Sequence, residues 1–183
     1  MKNYKFIKSK FLRLKRQNGF SLLEVMVAIS IVTVGLGGAM ALITMSFSAG
    51  AASTERLIAA NLAQEGIEVV RNIRDINYSS DSVRWQNWYN SVSNGTYAVQ
   101  FDSTTFILGN TYLSPLNFNA GNGRYSYDPR NSPSSFTRKI ILTKAPAPDY
   151  NANEIKVECV VSWSEKGVAK SLIVEDRLWN WWR

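Results

Sequence analysis

The chain has 183 residues, a net charge of +7 and a sequence pI near 9.6, with one cysteine and no histidine. That length suits one ordinary domain with an appendage, while a lone Cys159 excludes an intrachain disulfide and the lack of histidine removes the commonest metal ligand and acid–base catalyst. The charge is local: Lys2, Lys5, Lys8, Lys10, Arg13, Lys15 and Arg16 carry it, and the remainder balances 14 basic against 14 acidic residues, so no nucleic-acid partner is expected.

After that basic stretch, Glu24 is the only charged residue between Arg16 and Glu55, and residues 25–54 are thirty consecutive uncharged positions. This exceeds the roughly 20 residues that cross a bilayer. The flanking cations predict a single pass with the N-terminus in the cytoplasm and the rest of the chain outside it. Gly35, Gly37 and Gly38 interrupt the run and mark either a packing face or a weak point in the helix.

Three readings compete for this segment. A secretory signal would have an apolar core of about 7 to 15 residues and a small-residue cleavage site. Ala49-Gly50-Ala51 could supply that site, but the uncharged run is far longer than such a core. A plain signal anchor leaves unexplained why a carboxylate, costing up to about 2.5–3.5 kcal/mol at membrane depth, is tolerated at Glu24. The third reading gives Glu24 a cationic partner.

The stretch "GFSLLEVMVAI", with its basic leader, resembles the processing signal of the type IV pilin family. The resemblance implies that a prepilin peptidase cuts after Gly19 and that Phe20 becomes the first mature residue and is N-methylated. Glu24 then becomes the fifth residue, about one helical turn from a new cationic amine. In the family this glutamate pairs with the N-terminal amine of a neighbouring subunit; a pair within one chain is also geometrically possible. Either pair relieves the burial of the carboxylate.

Farther on, Ile58, Leu62, Val69, Ile73 and Ile76 recur at spacings of 4, 7, 4 and 3, which predicts a helix with one docking face, ending near Asn77. Gly66 reads as its weak point, and Glu65 and Glu68 as solvated face residues. "AQEGIEVVRNIRD" is also similar to a segment of minor-pilin-like proteins. The reading divides the chain into a leader over 1–19, a long helix over 20–77 and a loop-rich globular β part over 78–183.

Residues 79–135 are rich in Ser, Asn, Gly and Tyr and read as a loop-rich connection with short strand-like pieces such as "TYAVQF" and "TFILG". Trp85, Trp88, Tyr89, Tyr125 and Tyr127 could offer flat faces to a sugar or a surface, but satellite packing under the loops is the favoured reading. Asn77-Tyr-Ser and Asn94-Gly-Thr match the N-glycosylation triplet, a pattern short enough to arise by chance. Asp149, Asn151 and Asn153 imitate the opening of a calcium loop, yet Glu154 and Val160 replace its turn glycine and bidentate glutamate. An ordinary turn is favoured, so no metal and no cofactor are expected.

The last third reads as β-strands: "FTRKIILTK", "EIKVECVVSWSEKG" and "AKSLIVEDRLW", the last two joined at "SEKGV". Val157, Cys159, Val161 and Trp163 share an apolar face, which makes Cys159 a buried, inert thiol. The tail "LWNWWR" packs the final strand against the helix in the favoured reading, and forms an exposed partner patch in the other.

The fold expected is α+β, a long N-terminal helix with a membrane-spanning first half packed on a small C-terminal antiparallel sheet, as the resemblance also implies. The function implied is that of a structural, non-enzymatic minor pilin or pseudopilin in a type IV pilus, competence or type II secretion filament. Its partners would be the prepilin peptidase/N-methyltransferase, the cytoplasmic membrane, and other pilin subunits through the N-terminal helix. The minor group is favoured because no cysteine pair can close the C-terminal loop that many major subunits use. The alternative is a membrane-anchored or secreted binding domain that joins no filament. Catalysis finds no motif, since adjacent Glu175 and Asp176 point to opposite faces of a strand.

Overall fold

The computed structural model describes residues 19–77, 82–144 and 154–179. Asp149, Asn151 and Asn153, the tail's Trp181 and Trp182, Tyr78 and Ser79 of the first glycosylation triplet, and nearly all of the basic leader lie outside the described residues. Two compact units emerge, Met1–Phe47 and Ser48–Arg183.

The expected long helix, α1, runs over Leu22–Asn77. Its burial changes along its length. Ala59, Leu62, Ala63, Gly66, Ile67, Val69, Val70 and Ile73 are buried, a stripe at spacings of three and four that faces the sheet. Ile76 keeps the spacing but lies past the last buried residue, one position before the helix end, and is 53% exposed, which corrects its assignment to the docking face.

The sheet is antiparallel and six-stranded, in the order β3-β2-β4-β5-β6, with β1 also paired to β4. Its strands are β1 (Gly95–Tyr97), β2 (Pro115–Asn119), β3 (Arg124–Ser126), β4 (Ser132–Lys144), β5 (Glu154–Glu165) and β6 (Val168–Trp179). The three long strands stand where the sequence places them. Ile155, Val157, Cys159, Val161 and Trp163 of β5 are buried, as are Phe136, Arg138, Ile140 and Leu142 of β4, while their alternates are not, as a sheet covered on one face requires. β5 and β6 meet in a two-residue turn in which Lys166 and Gly167 both have positive φ, 51° and 81°, the geometry that suits the twist of a tight hairpin.

The connecting region is more ordered than a loop-rich reading allows. It holds helix α2 (Ser82–Ser91), on which Trp85 and Trp88 are 1% and 6% exposed and stack at 5.3 Å between centroids. Trp85, Trp88, Tyr89 and Val92 follow the i, i+3, i+4, i+7 rule, a helical signal masked by the Ser and Asn around it. Tyr89 lies 6.3 Å from Trp85, and Lys144 sits over its ring. Farther along, Tyr125 meets Phe136 edge-on and Phe136 meets Trp163. Tyr127 donates its hydroxyl to the Arg138 carbonyl at 3.0 Å. These rings pack, as the favoured reading expects.

Helix and sheet come close at Gly66. A Cβ there would lie 2.6 Å from Cys159 Sγ and 3.3 Å from Arg138 Cδ. Gly66 is therefore a point of close approach rather than a weakness, and the helix cost of glycine is offset by contact. Burial pushes the Cys159 thiol up to about 11, which keeps it protonated and unreactive at neutral pH.

The missing side chain also admits Arg138, which is fully buried. Its guanidinium donates to Leu62 O at 3.0 Å and Glu65 Oε1 at 2.7 Å on α1, and to Val99 O at 2.8 Å beside β1. Glu65, expected from the sequence to be a solvated face residue, is instead the partner of a buried guanidinium. One side chain ties the helix, β4 and the connecting region together.

Two consequences are testable by thermal unfolding of the full chain in detergent, followed by tryptophan near-UV circular dichroism. Gly66→Ala should destabilise by about 1–3 kcal/mol through overpacking, and Cys159→Ala should recover part of that loss when combined with it; purely additive losses would refute the contact. Arg138→Met should cost about 2–4 kcal/mol, because it strands two carbonyls and a carboxylate. Glu65→Gln, which keeps an acceptor, should cost about 1 kcal/mol; an equal loss in the two variants would contradict the network.

Candidate processing and assembly site

Gly19, Phe20 and Ser21 precede the helix, which begins at Leu22. The Ser21 carbonyl accepts the Val25 N–H at 3.1 Å. Ser21 therefore occupies the capping position and Glu24 the third helical position, where a carboxylate faces the positive end of the helix dipole. Glu24 is exposed and makes no hydrogen bond or ion pair among the described residues. Its neighbours are apolar and equally uncovered: Phe20 is 81% exposed, with Leu22, Leu23 and Met26 also open. A Cβ on Gly19 would meet nothing within 4 Å. Nothing among the described residues demands glycine there.

From this end α1 continues without a break through Gly35, Gly37 and Gly38, none of which has a neighbour within 4 Å of an added Cβ. Its most apolar 18-residue window has a mean hydropathy of 2.2 and no buried residue. Four hydroxyls inside the run are satisfied by the helix itself. Ser30, Thr33 and Thr54 hydroxyls donate to the carbonyls of Met26, Ile29 and Gly50, and Thr44 donates to those of Met40 and Ala41. Such back-bonding hides hydroxyls from hydrocarbon. Length and composition fit a membrane-anchored helix.

Other constellations do not assemble chemistry. Glu175 pairs with Lys156 and Arg177, and hydrogen bonding from Lys156 holds its carboxyl below the usual range. Asp176 takes the Arg71 guanidinium at 2.9 Å. The adjacent carboxylates thus serve different ion pairs, as their strand positions predict. Among the described residues, no three His, Cys, Asp or Glu side chains converge as metal ligands. With Trp85 and Trp88 buried, those two rings cannot offer faces to a sugar.

Sequence reasoning passed over two residues. Arg138 alternates with Phe136, Ile140 and Leu142, so the period of two placed it on the apolar face of β4. Lys166 reads only as a turn residue, yet its Nζ donates to Ser48 Oγ, far away in sequence. The first was legible as a pattern; the second was not.

No curated protein and no solved structure matches the chain. Residues 14–40 match the family model described as the prokaryotic N-terminal methylation motif, a span that contains Gly19, Phe20 and Glu24 and the first part of the uncharged helix. The motif implies processing by a prepilin peptidase and association with a membrane, and the chain accordingly carries a type IV pilin-like prepilin signal.

Proposed function

We propose that the protein is a non-enzymatic structural subunit, a minor pilin or pseudopilin, that is cut between Gly19 and Phe20, methylated at Phe20 and built into a filament through its N-terminal helix. The observation that carries this reading is a lone carboxylate, Glu24, in the first turn of an exposed helix whose following thirty residues, 25–54, are uncharged. Before assembly those side chains face lipid. In a filament core they face equivalent helices, an exchange of one apolar environment for another that costs little. The carboxylate gains from the exchange, because the new amine of Phe20 supplies a cation. Residues 1–19 are the leader in this scheme, 20–77 the assembly helix and 78–183, with the helix half that they cover, the surface of the filament.

The alternative of an anchored binding domain loses support from the burial of Trp85 and Trp88, which removes part of the aromatic surface proposed for its ligand. The filament types that use a prepilin signal share these parts, so the reading extends equally to pilus, competence and type II secretion assemblies.

Two experiments test the reading. A side chain started at Gly19 meets no described residue within 4 Å, so Gly19→Val alters the cleavage signal without disturbing the folded part. The intact mass of the protein recovered from its cells should correspond to a start at methylated Phe20 for the wild type and to a retained leader for the variant; cleavage of Gly19→Val at the same bond would contradict the assignment. Glu24→Ala should leave membrane insertion intact or improved and lower incorporation into filaments by about tenfold or more, equivalent to about 1.4 kcal/mol. Normal incorporation would dismiss the pairing.

A further inference from the structure

The uncharged run is too long for the membrane it is read to cross. Residues 25–54 make about 45 Å of α-helix, whereas the hydrocarbon layer is about 30 Å thick, so roughly ten residues must stand outside it. Composition alone does not say which. The second compact unit begins at Ser48, inside that run, and the Ser48 hydroxyl accepts a hydrogen bond from Lys166 at the tip of the β5–β6 hairpin.

Three features hold that tip in place. All twelve residues of β5 pair with β6, up to Glu165 opposite Val168, so the ladder reaches the turn. Lys166 itself takes φ of 51°, a conformation that glycine or asparagine adopts more readily. The spacing from the sheet is also consistent. Ser48 to Gly66 is about 27 Å of helix rise, Lys166 to Cys159 is about 24 Å of strand, and Gly66 lies against Cys159. Helix and hairpin therefore run side by side from one contact to the other.

If the bilayer covered the run as far as Thr54, Lys166 and its neighbour Glu165 would be drawn into hydrocarbon, which is unfavourable for both charges. If the hydrocarbon ends near Phe47, residues 25–47 supply about 35 Å of helix, enough to cross, and Lys166 reaches the headgroup layer. Beside it Val168 is 56% exposed, an apolar side chain next to a cation, the pairing that suits a membrane interface. We propose that, before assembly, the Lys166-Gly167 tip rests in the phosphate layer of the extracytoplasmic leaflet, where the Lys166 ammonium binds lipid phosphate and the hairpin stops the helix from sinking deeper. This rests on the membrane-anchored reading given above.

The test uses the full chain in phosphatidylcholine–phosphatidylglycerol vesicles. Buried, protonated Cys159 escapes labelling, so a nitroxide can be attached singly at Val168→Cys, at Asn87→Cys on α2, or at Val32→Cys within the uncharged run. The Val168 label should enhance phospholipid ³¹P relaxation severalfold more than the Asn87 label, and the Val32 label should relax acyl-chain methylene protons. Adding Lys166→Ser to the Val168-labelled chain should lower the ³¹P enhancement severalfold. Equal ³¹P effects from Val168 and Asn87, with the Val32 label still in the chains, would overturn the hairpin contact alone. A Val32 label in water would overturn the membrane reading and the contact with it. An enhancement unchanged by Lys166→Ser would overturn the role of the ammonium.

Discussion

The globular part depends on the approach of α1 to β4 and β5 at Gly66. Without a side chain there, the helix lies against Cys159 Sγ and leaves room for the Arg138 stem. The guanidinium then reaches the Leu62 carbonyl, Glu65 and the Val99 carbonyl. A buried cation is costly unless its donors are used, and here three bonds from the two terminal nitrogens join elements that are distant in sequence. The gap at Gly66 and the charge of Arg138 are complementary: one makes the space, and the other fills it with directional bonds that an apolar side chain could not make. Specific register between helix and sheet follows from that direction.

The same helix meets two kinds of surroundings. Over residues 22–47 its side chains are exposed, and the hydroxyls of Ser30, Thr33 and Thr44 bond back to its own carbonyls. Over Ala59 to Ile73 one stripe is buried against the sheet, Arg71 at its flank reaches Asp176 of β6, and the opposite side carries Glu68 and Asp75. The change of pattern follows from composition: a segment without charges can be solvated by lipid or by other apolar helices, whereas an amphipathic one needs a partner on one side and water on the other. Glu24 is the exception in the first segment. Its place at the positive end of the helix eases its charge a little, and a cationic amine supplied by proteolysis would ease it far more.

The prepilin-like signal was legible in the sequence because it is local. Gly19, Phe20 and Glu24 are defined by spacing along one stretch, the uncharged run after them is counted directly, and a motif match over residues 14–40 covers the same stretch. The three long strands were legible for a similar reason, since period-two alternation in β5 places Cys159 with Val157 and Val161 whatever the rest of the chain does. Helix α2 was concealed by its Ser and Asn content, although the spacing of Trp85, Trp88, Tyr89 and Val92 carried the signal.

By itself, then, the sequence determined the elements whose cause lies within a few residues: the basic charge near the N-terminus, the prepilin-like motif, the length of the apolar helix, the alternation of the strands and the inertness expected of Cys159. Only the tertiary structure decided what joins them. It turned Gly66 from a weak point into a contact, moved Glu65 from solvent to the partner of a buried Arg138, sent Trp85 and Trp88 inside, and set Lys166 beside Ser48. The physical reason is range: hydrophobic periodicity and a peptidase signal are read along the chain, but the cost of a buried charge or an absent side chain is settled by whatever group folding brings against it.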